Sequence, residues 1–117
     1  MSQSEPVCPV NDITTSGQTY NVRLHGRIQE IFLFTRNQHI FAYINSCPHT
    51  GATLNWQPDQ FFNFENTLIQ CSIHGALFRP EDGYCIQGPC RGESLSRLGV
   101  EVLDEMVYVN SATSSFY

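Results

Sequence analysis

Four potential metal ligands occur in two short motifs of the sequence. The first motif is Cys47-Pro48-His49 and the second is Cys71-Ser72-Ile73-His74. Each motif supplies one thiolate and one imidazole, and both are ligands that iron and zinc accept. A glycine follows each motif closely, Gly51 after the first and Gly75 after the second. Because glycine has no side chain, the backbone there can approach a metal cluster and direct its N–H groups at inorganic sulfide.

Two metal chemistries suit this donor set. Two cysteines and two histidines hold zinc in many structural sites, usually as one Cys-x-x-Cys half and one His-x₃₋₅-His half. Here each half is mixed, and the cysteine comes first both times. Replacing two thiolates by neutral imidazoles also makes an iron–sulfur cluster less negative and raises its reduction potential. We therefore favour a [2Fe–2S] cluster over zinc; visible absorption and a reduced-state EPR signal distinguish the two.

The pattern Cys-x-His, a spacer and Cys-x-x-His resembles the Rieske family of [2Fe–2S] proteins. The run His74-Gly75-Ala76-Leu77-Phe78 is also similar to that family, and Gly83 with Gly88-Pro89 resembles its proline loop over the cluster. The resemblance covers about residues 18–109. It implies an all-β fold, in which an antiparallel β-sandwich or barrel framework carries an inserted cluster-binding subdomain.

The resemblance also implies a role for each ligand. Cys47 and Cys71 would hold the buried iron of one Rieske cluster, and His49 and His74 would hold the outer iron through Nδ1. Each Nε2 would then lie near the protein surface. The outer iron would be the one that is reduced.

Four positions differ from the high-potential Rieske proteins of respiratory bc complexes. Those relatives have a disulfide-bonded cysteine pair where this sequence has Ala52 and Ile73, and hydroxyl residues where it has Ala76 and Phe78. Hydrogen bonds to sulfur stabilise the reduced, more negative cluster. We therefore predict a potential at the low end of the Rieske range, about −150 mV. Such a value is typical of the soluble ferredoxins that serve ring-hydroxylating oxygenases.

The segments on either side of the motifs predict β-structure. Alternation and β-branched or aromatic runs predict three consecutive strands, with a turn at Arg36-Asn37 between the last two, and the chain end predicts a hairpin. Helical spacing is not sustained between residues 45 and 92. The predicted strands cover residues 19–25, 28–35 and 38–44, then shorter pieces at 67–71, 76–79 and 84–87, and finally the hairpin at 99–109. The whole chain, 1–117, is predicted to be one domain with a cluster-binding subdomain at about 45–92. The first seventeen residues are predicted to be a loosely held start that can lie against the domain.

Composition excludes several classes of protein. The chain has 117 residues, 41% of them apolar, and a formal charge of −5, and its six basic residues are all arginine. Nucleic acid and membranes are therefore not expected partners, because no basic cluster and no apolar run of about 20 residues is present. The start of the sequence has no export signal, so we predict a cytoplasmic location. Acidic residues at Glu81-Asp82 and at Glu101, Asp104 and Glu105 indicate ordinary solubility rather than docking to a basic surface.

The remaining cysteines and histidines receive no ligand role. Cys85 and Cys90 are expected to be unreactive thiols rather than a disulfide, because the set of five cysteines is odd and no export signal is present. Cys8 is expected to be incidental, and His25 and His39 to be ordinary strand residues.

The spacer between the motifs is unusually aromatic, and it is longer than the resemblance implies. Its aromatic residues are Trp56, Phe61, Phe62 and Phe64. We favour a small hydrophobic hairpin that packs over the subdomain, rather than a docking patch for a partner.

These features predict a one-electron carrier that receives electrons from an NAD(P)H-linked reductase and passes them to an oxygenase. Its partners are expected to be redox proteins, with no small-molecule substrate. No catalysis is expected from the chain alone, because it lacks a second iron site of the 2-His-1-carboxylate type. The alternative is a regulatory subunit whose cluster senses redox state or oxygen without carrying electrons in turnover.

Overall fold

The computed structural model describes residues 6–24, 26–46, 54, 61–63, 65, 67–71, 75–88 and 92–110. These residues form nine β-strands and one short 3₁₀ turn at Val10–Asp12. No helix in these ranges is long and apolar enough to cross a membrane. The strands are β1 (Cys8–Pro9), β2 (Gln18–Leu24), β3 (Arg27–Arg36), β4 (His39–Ile44), β5 (Ile69–Gln70), β6 (Leu77–Phe78), β7 (Cys85–Gln87), β8 (Arg97–Leu103) and β9 (Met106–Asn110).

Six of the strands form one large antiparallel sheet with the order β1-β9-β8-β4-β3-β2. The three consecutive strands and the final hairpin predicted from the sequence are confirmed, with boundaries that shift by one to two residues. Tyr20, Val22 and Leu24 lie on one face of β2 and pack against the same group of buried residues, as their alternation predicts.

The middle of the large sheet is buried on both faces. Along β3, Ile31 and Leu33 belong to one hydrophobic cluster, and Phe32 and Phe34 belong to another on the opposite face. All four are fully buried. This explains why the sequence reads as an unbroken apolar run at this point, since successive side chains of a strand point to opposite faces.

A second sheet has the order β5-β6-β7 and falls between residues 45 and 92. Its inner side packs on the Phe32 face of the large sheet through buried residues such as Ile69, Phe78 and Cys85. Phe62 pairs with Ile69, so the segment 61–63 continues this sheet on the outer side of β5.

The two ends of the large sheet differ in what they carry. At one end, which we call the Asn45 end, the last β3–β4 pair is Ile31 with Ile44. Just beyond it, the backbone N–H of Asn45 donates to the backbone carbonyl of Glu30. The opposite end carries the β3–β4 turn, and we call it the distal end. The antiparallel pairing of Ala42 with Leu98 sends β8 toward this same distal end.

Two predictions about the framework need correction. The turn expected at Arg36-Asn37 lies one residue later, at Asn37-Gln38, because Arg36 still pairs with His39. Both turn residues have positive φ, 51° and 70°, which is the backbone that joins two antiparallel strands with a two-residue loop.

The start of the chain is also more firmly attached than the sequence predicts. β1 pairs with β9, placing Cys8 opposite Val107. Cys8 and Ile13 are both buried in the hydrophobic cluster that contains Leu33. Cys8 is therefore a core residue, and burial raises the pKa of its thiol.

Candidate metal centre

One of the four predicted ligands, Cys71, falls within the described residues. Cys47, His49 and His74 lie outside them, as do Ala52 and Ile73. Within the described ranges, no three metal-ligating side chains gather into a site. The assignment of the four ligands therefore remains a prediction, and the structure describes the residues on either side of the two motifs.

Cys71 directly follows β5 and is fully buried. Its amide donates to the carbonyl of Ala76 at 2.8 Å, and its carbonyl accepts from the amide of Gly75 at 2.9 Å. These two hydrogen bonds close the chain between β5 and β6. Gly75 has φ +66°, a backbone that L side chains rarely adopt, so glycine is favoured where the chain re-enters the sheet.

The backbone of Gly88 lies directly against Ala76. A Cβ built at Gly88 would be 2.7 Å from the Cα of Ala76, and its φ of +110° also excludes most other residues. Since Gly88 precedes Pro89 in the sequence, the stretch resembling a proline loop begins in contact with the second motif's closing turn. Ala76 and Phe78 are both fully buried and carry no hydroxyl group.

Asn45 lies just before the first motif, and its side chain connects Leu54, the first described residue after that motif, to Glu30 of the large sheet. Its side chain is 4% exposed, and it is the one polar residue among the buried side chains described. Its Oδ1 accepts from the amide of Leu54 at 2.8 Å, and its Nδ2 donates to Glu30 Oε2 at 3.2 Å. Leu54 itself is fully buried in the core. The segment from Asn45 to Leu54, which contains the first motif, is thus attached to the large sheet at both ends through the side-chain amide of Asn45.

The turn between β6 and β7 is tied to the large sheet by Tyr43. Its buried hydroxyl donates to the carbonyl of Pro80 at 2.7 Å, and burial raises the pKa of Tyr43 well above its usual range. A Cβ at Gly83 would be 2.8 Å from the Tyr43 ring, so this turn needs glycine. The turn falls between the strand pieces predicted at 76–79 and 84–87.

The aromatic spacer contributes to the core where it is described. Phe61 is 1% exposed and stacks on Phe32 with ring centroids 4.2 Å apart. Phe62 meets Phe34 edge-on at 5.2 Å and lies under the guanidinium of Arg36. Phe61 and Phe62 therefore pack against the large sheet. The predicted hairpin over the subdomain is not tested, and Trp56 and Phe64 lie outside the described residues.

The other cysteines and histidines show no ligand geometry where they are described. Cys85 is a free, buried thiol whose Sγ lies 3.4 Å from the carbonyl oxygen of Gln87. His39 is an exposed strand residue next to the β3–β4 turn. Cys90 and His25 lie outside the described residues.

A family model described as "Rieske [2Fe-2S] domain" matches residues 3–110 of the chain. Because this match spans most of the sequence, the chain belongs to the Rieske [2Fe–2S] domain family. Its cofactor is accordingly one Rieske [2Fe–2S] cluster. No curated protein matches the chain significantly.

Several solved structures share the fold. The ferredoxin of carbazole 1,9a-dioxygenase from Nocardioides aromaticivorans IC177 is 21% identical, with a TM-score of 0.72, and the match covers 93% of this chain and 98% of that chain. The Sphingomonas yanoikuyae B1 ferredoxin is 21% identical with a TM-score of 0.66, covering 92% and 97%. The terminal oxygenase of carbazole 1,9a-dioxygenase from Novosphingobium sp. KA1 is 20% identical with a TM-score of 0.71, covering 91% of this chain but 29% of that chain. The predicted all-β Rieske fold is thereby confirmed.

The described residues fit such a cluster. Cys71 offers a thiol that water does not reach, which suits the buried side of an iron–sulfur cluster. At Gly75 nothing described lies within 4 Å of where a Cβ would be, so the backbone there is open to close approach, and the sequence supplies the remaining thiolate and the two imidazoles.

Sequence reasoning missed Asn45 as a functional residue. The available signal was a short amide side chain directly after a buried strand and two positions before Cys47. Its two partners, at positions 30 and 54, are far enough apart in sequence that no local pattern predicts the contact.

Proposed function

We propose that this protein is a one-electron carrier that accepts electrons from an NAD(P)H-linked reductase and delivers them to an oxygenase. The proposal rests on the position of Cys71. Its thiol is fully buried at a turn that two backbone hydrogen bonds close, in a fold that matches whole ferredoxins. One matched structure is a complex of reduced oxygenase and oxidized ferredoxin in carbazole 1,9a-dioxygenase. This supports an oxygenase as the acceptor.

Cys47, His49, Cys71 and His74 are the proposed ligands, with the cysteines on the buried iron and the histidines on the outer iron. When bound, the cluster takes up and releases one electron. The chain's own residues position it. Cys71 holds one side inside the protein, and the turn closed by Ala76 fixes the cysteine backbone.

The same scaffold sets the proposed potential. Ala76 and Phe78 are buried where the high-potential relatives have hydroxyl residues, so neither can donate a hydrogen bond to sulfur. The reduced cluster therefore receives less stabilisation, and the potential is expected to be low. A low potential suits a carrier that must reduce an oxygenase. A clearly positive potential in protein-film voltammetry would contradict it.

A pair of cysteine variants tests the ligand assignment. Cys71→Ser is expected to abolish the visible absorption and the reduced-state EPR signal of the purified protein. Cys85→Ser is the matched control, because Cys85 is equally buried in the same hydrophobic cluster and is not a proposed ligand. If both variants keep the cluster, or both lose it, the assignment of Cys71 is wrong.

A kinetic experiment tests the carrier role. The oxidised protein is mixed anaerobically with NADH and the reductase of an aromatic-ring dioxygenase, and cluster reduction is followed by absorbance. Reduction should be faster than reoxidation of the reduced protein by air. If reduction is slower than autoxidation for every NAD(P)H-linked reductase tried, the carrier proposal fails and a sensing role is favoured.

A further inference from the structure

The β2–β3 hairpin extends beyond the rest of the large sheet at the Asn45 end. β3 pairs with β4 only as far as Ile31 with Ile44, but it pairs with β2 as far as Arg27 with Leu24. The hairpin therefore projects about 10 Å past Glu30, at about 3.3 Å per residue. We call residues 23–24 and 26–28 the basic arm.

The basic arm combines two arginines with an exposed apolar side chain. Arg23 and Arg27 are exposed, and neither forms an ion pair with any residue that the structure describes. Ile28 lies directly opposite Arg23 in the pairing register and is 61% exposed. Arg23 and Ile28 therefore share one face of the hairpin, and Arg27, which pairs with Leu24, lies on the opposite face at the end of the arm. A partner that covers the exposed isoleucine would also contact Arg23, and arginine is enriched in protein interfaces.

The face of Ile28 is the one that carries the cluster scaffold. Alternation along β3 puts Ile28 on the same face as Glu30 and Phe32. Phe32 contacts the aromatic spacer, and Glu30 binds Asn45. Ile28 and its neighbour across the hairpin therefore continue this face outward, past the residues that hold the first motif's flanks.

Acidic side chains lie at the other end of the large sheet. The β8–β9 turn is Asp104-Glu105, and Glu101 precedes it on β8. The carbonyl of Glu105 accepts from the amide of Val10, which brings the 3₁₀ turn containing Asp12 to the same end. A chain of net charge −5 thus carries, at the Asn45 end, two arginines that form no ion pair with a described residue, beside the half-buried Glu30, and a larger acidic group at the distal end. Such an asymmetry orients an anionic partner toward the arginines.

We propose that the basic arm docks an acidic protein surface, the surface around the redox centre of an electron-transfer partner. The partner would approach the end of the arm, with carboxylates facing Arg23 on the Ile28 face and Arg27 on the opposite face, and a small apolar area would cover Ile28. The inference rests on the proposed carrier function, because docking at this end matters only if electrons leave or enter there. The acidic residues at the distal end then serve solubility rather than docking.

Two forms of one acceptor protein, which differ only in surface charge, test the proposal. The protein is reduced with dithionite, freed of excess reductant, and mixed in a stopped-flow instrument with either native cytochrome c, which is basic, or succinylated cytochrome c, which presents carboxylates. The variant Arg23→Gln/Arg27→Gln removes two positive charges from the arm. The control Thr15→Glu/Asn37→Asp lowers the net charge equally at the distal end, where Thr15 is exposed beside a residue bonded to Thr35.

At low salt, the arm variant is expected to slow transfer to succinylated cytochrome c by roughly five- to tenfold and to speed transfer to native cytochrome c. The control should change the succinylated rate less than about twofold, and salt should remove the difference. Ile28→Ser should raise the half-saturating acceptor concentration without changing the salt dependence. Equal effects of the arm and control variants, or rates insensitive to acceptor charge, would overturn the docking proposal alone. If no variant passes electrons to either acceptor, the carrier function itself fails.

Discussion

Replacing Asn45 by leucine is the most informative perturbation of the cluster scaffold. Leucine has about the same size but can neither accept the Leu54 N–H nor donate to Glu30. In the native protein these two hydrogen bonds measure 2.8 and 3.2 Å. The backbone bond from residue 45 to the Glu30 carbonyl remains, so the strand pairing is expected to survive.

The energetic cost follows from burial. Leu54 is fully buried, so its N–H would be left without an acceptor, at a cost of about 1–3 kcal/mol. The bond to Glu30 adds about 1 kcal/mol, since that carboxylate is only half-buried. A total of about 3 kcal/mol lowers the melting temperature of a domain of this size by roughly 10–18 °C. Cluster loss should accelerate as well, because the first motif lies between the two tethered residues.

The assay is thermal unfolding followed by circular dichroism, together with the rate of bleaching of the visible absorption in urea. Asn63→Ala is the control, because Asn63 also binds two amides, of Thr67 and Leu68, but on a separate, more exposed turn. It should lower the melting temperature less and leave the bleaching rate unchanged.

Substitutions at positions 45 and 30 distinguish the contributions of the two hydrogen bonds that the Asn45 side chain forms. Asn45→Asp keeps an acceptor for Leu54 but sets a carboxylate against Glu30, and adding Glu30→Gln restores a donor to this pair. The double variant should therefore be more stable than Asn45→Asp alone, a coupling of about 1 kcal/mol. A melting temperature of Asn45→Leu within about 2 °C of wild type, or no rescue by Glu30→Gln, would refute the reasoning.

Three further outcomes are expected. Gly88→Ala should destabilise the protein by about 2 kcal/mol or more and speed cluster bleaching, because its Cβ would meet Ala76 at 2.7 Å and its φ is +110°; unchanged bleaching would contradict this. Tyr43→Phe should cost about 1–2 kcal/mol in urea unfolding, because the buried carbonyl of Pro80 loses its donor; a neutral result would mean that the bond contributes nothing. Partial burial tends to raise the pKa of Asp82, but hydrogen bonds from its arginine partner and a backbone amide lower it below its usual value. A lowered folded-state pKa stabilises the protein above the unfolded value of about 3.8 and loses that contribution as the pH falls, so acid should destabilise wild type more steeply than Asp82→Asn below about pH 4.

Much of the architecture could be predicted because it depends on local patterns. The two mixed motifs identified the family from residue types and spacing alone, before any contact was known. The strands followed from alternation at Tyr20, Val22 and Leu24, and the final hairpin from the valines on either side of its turn. Both kinds of signal lie within a few residues of each other in the sequence.

The tertiary structure alone decided how these parts support one another. Asn45 joins positions 30 and 54, and Cys8 enters the core by pairing with the last strand. The separation of Arg23 and Arg27 from the acidic turn at the distal end depends equally on the register of the large sheet. Such contacts join residues that are distant in the chain, so no local period or propensity encodes them. The proposed ligands thus come from the sequence, whereas the contacts that hold the segments around them, and the positions of the arginines in the proposed docking surface, depend on the folded chain.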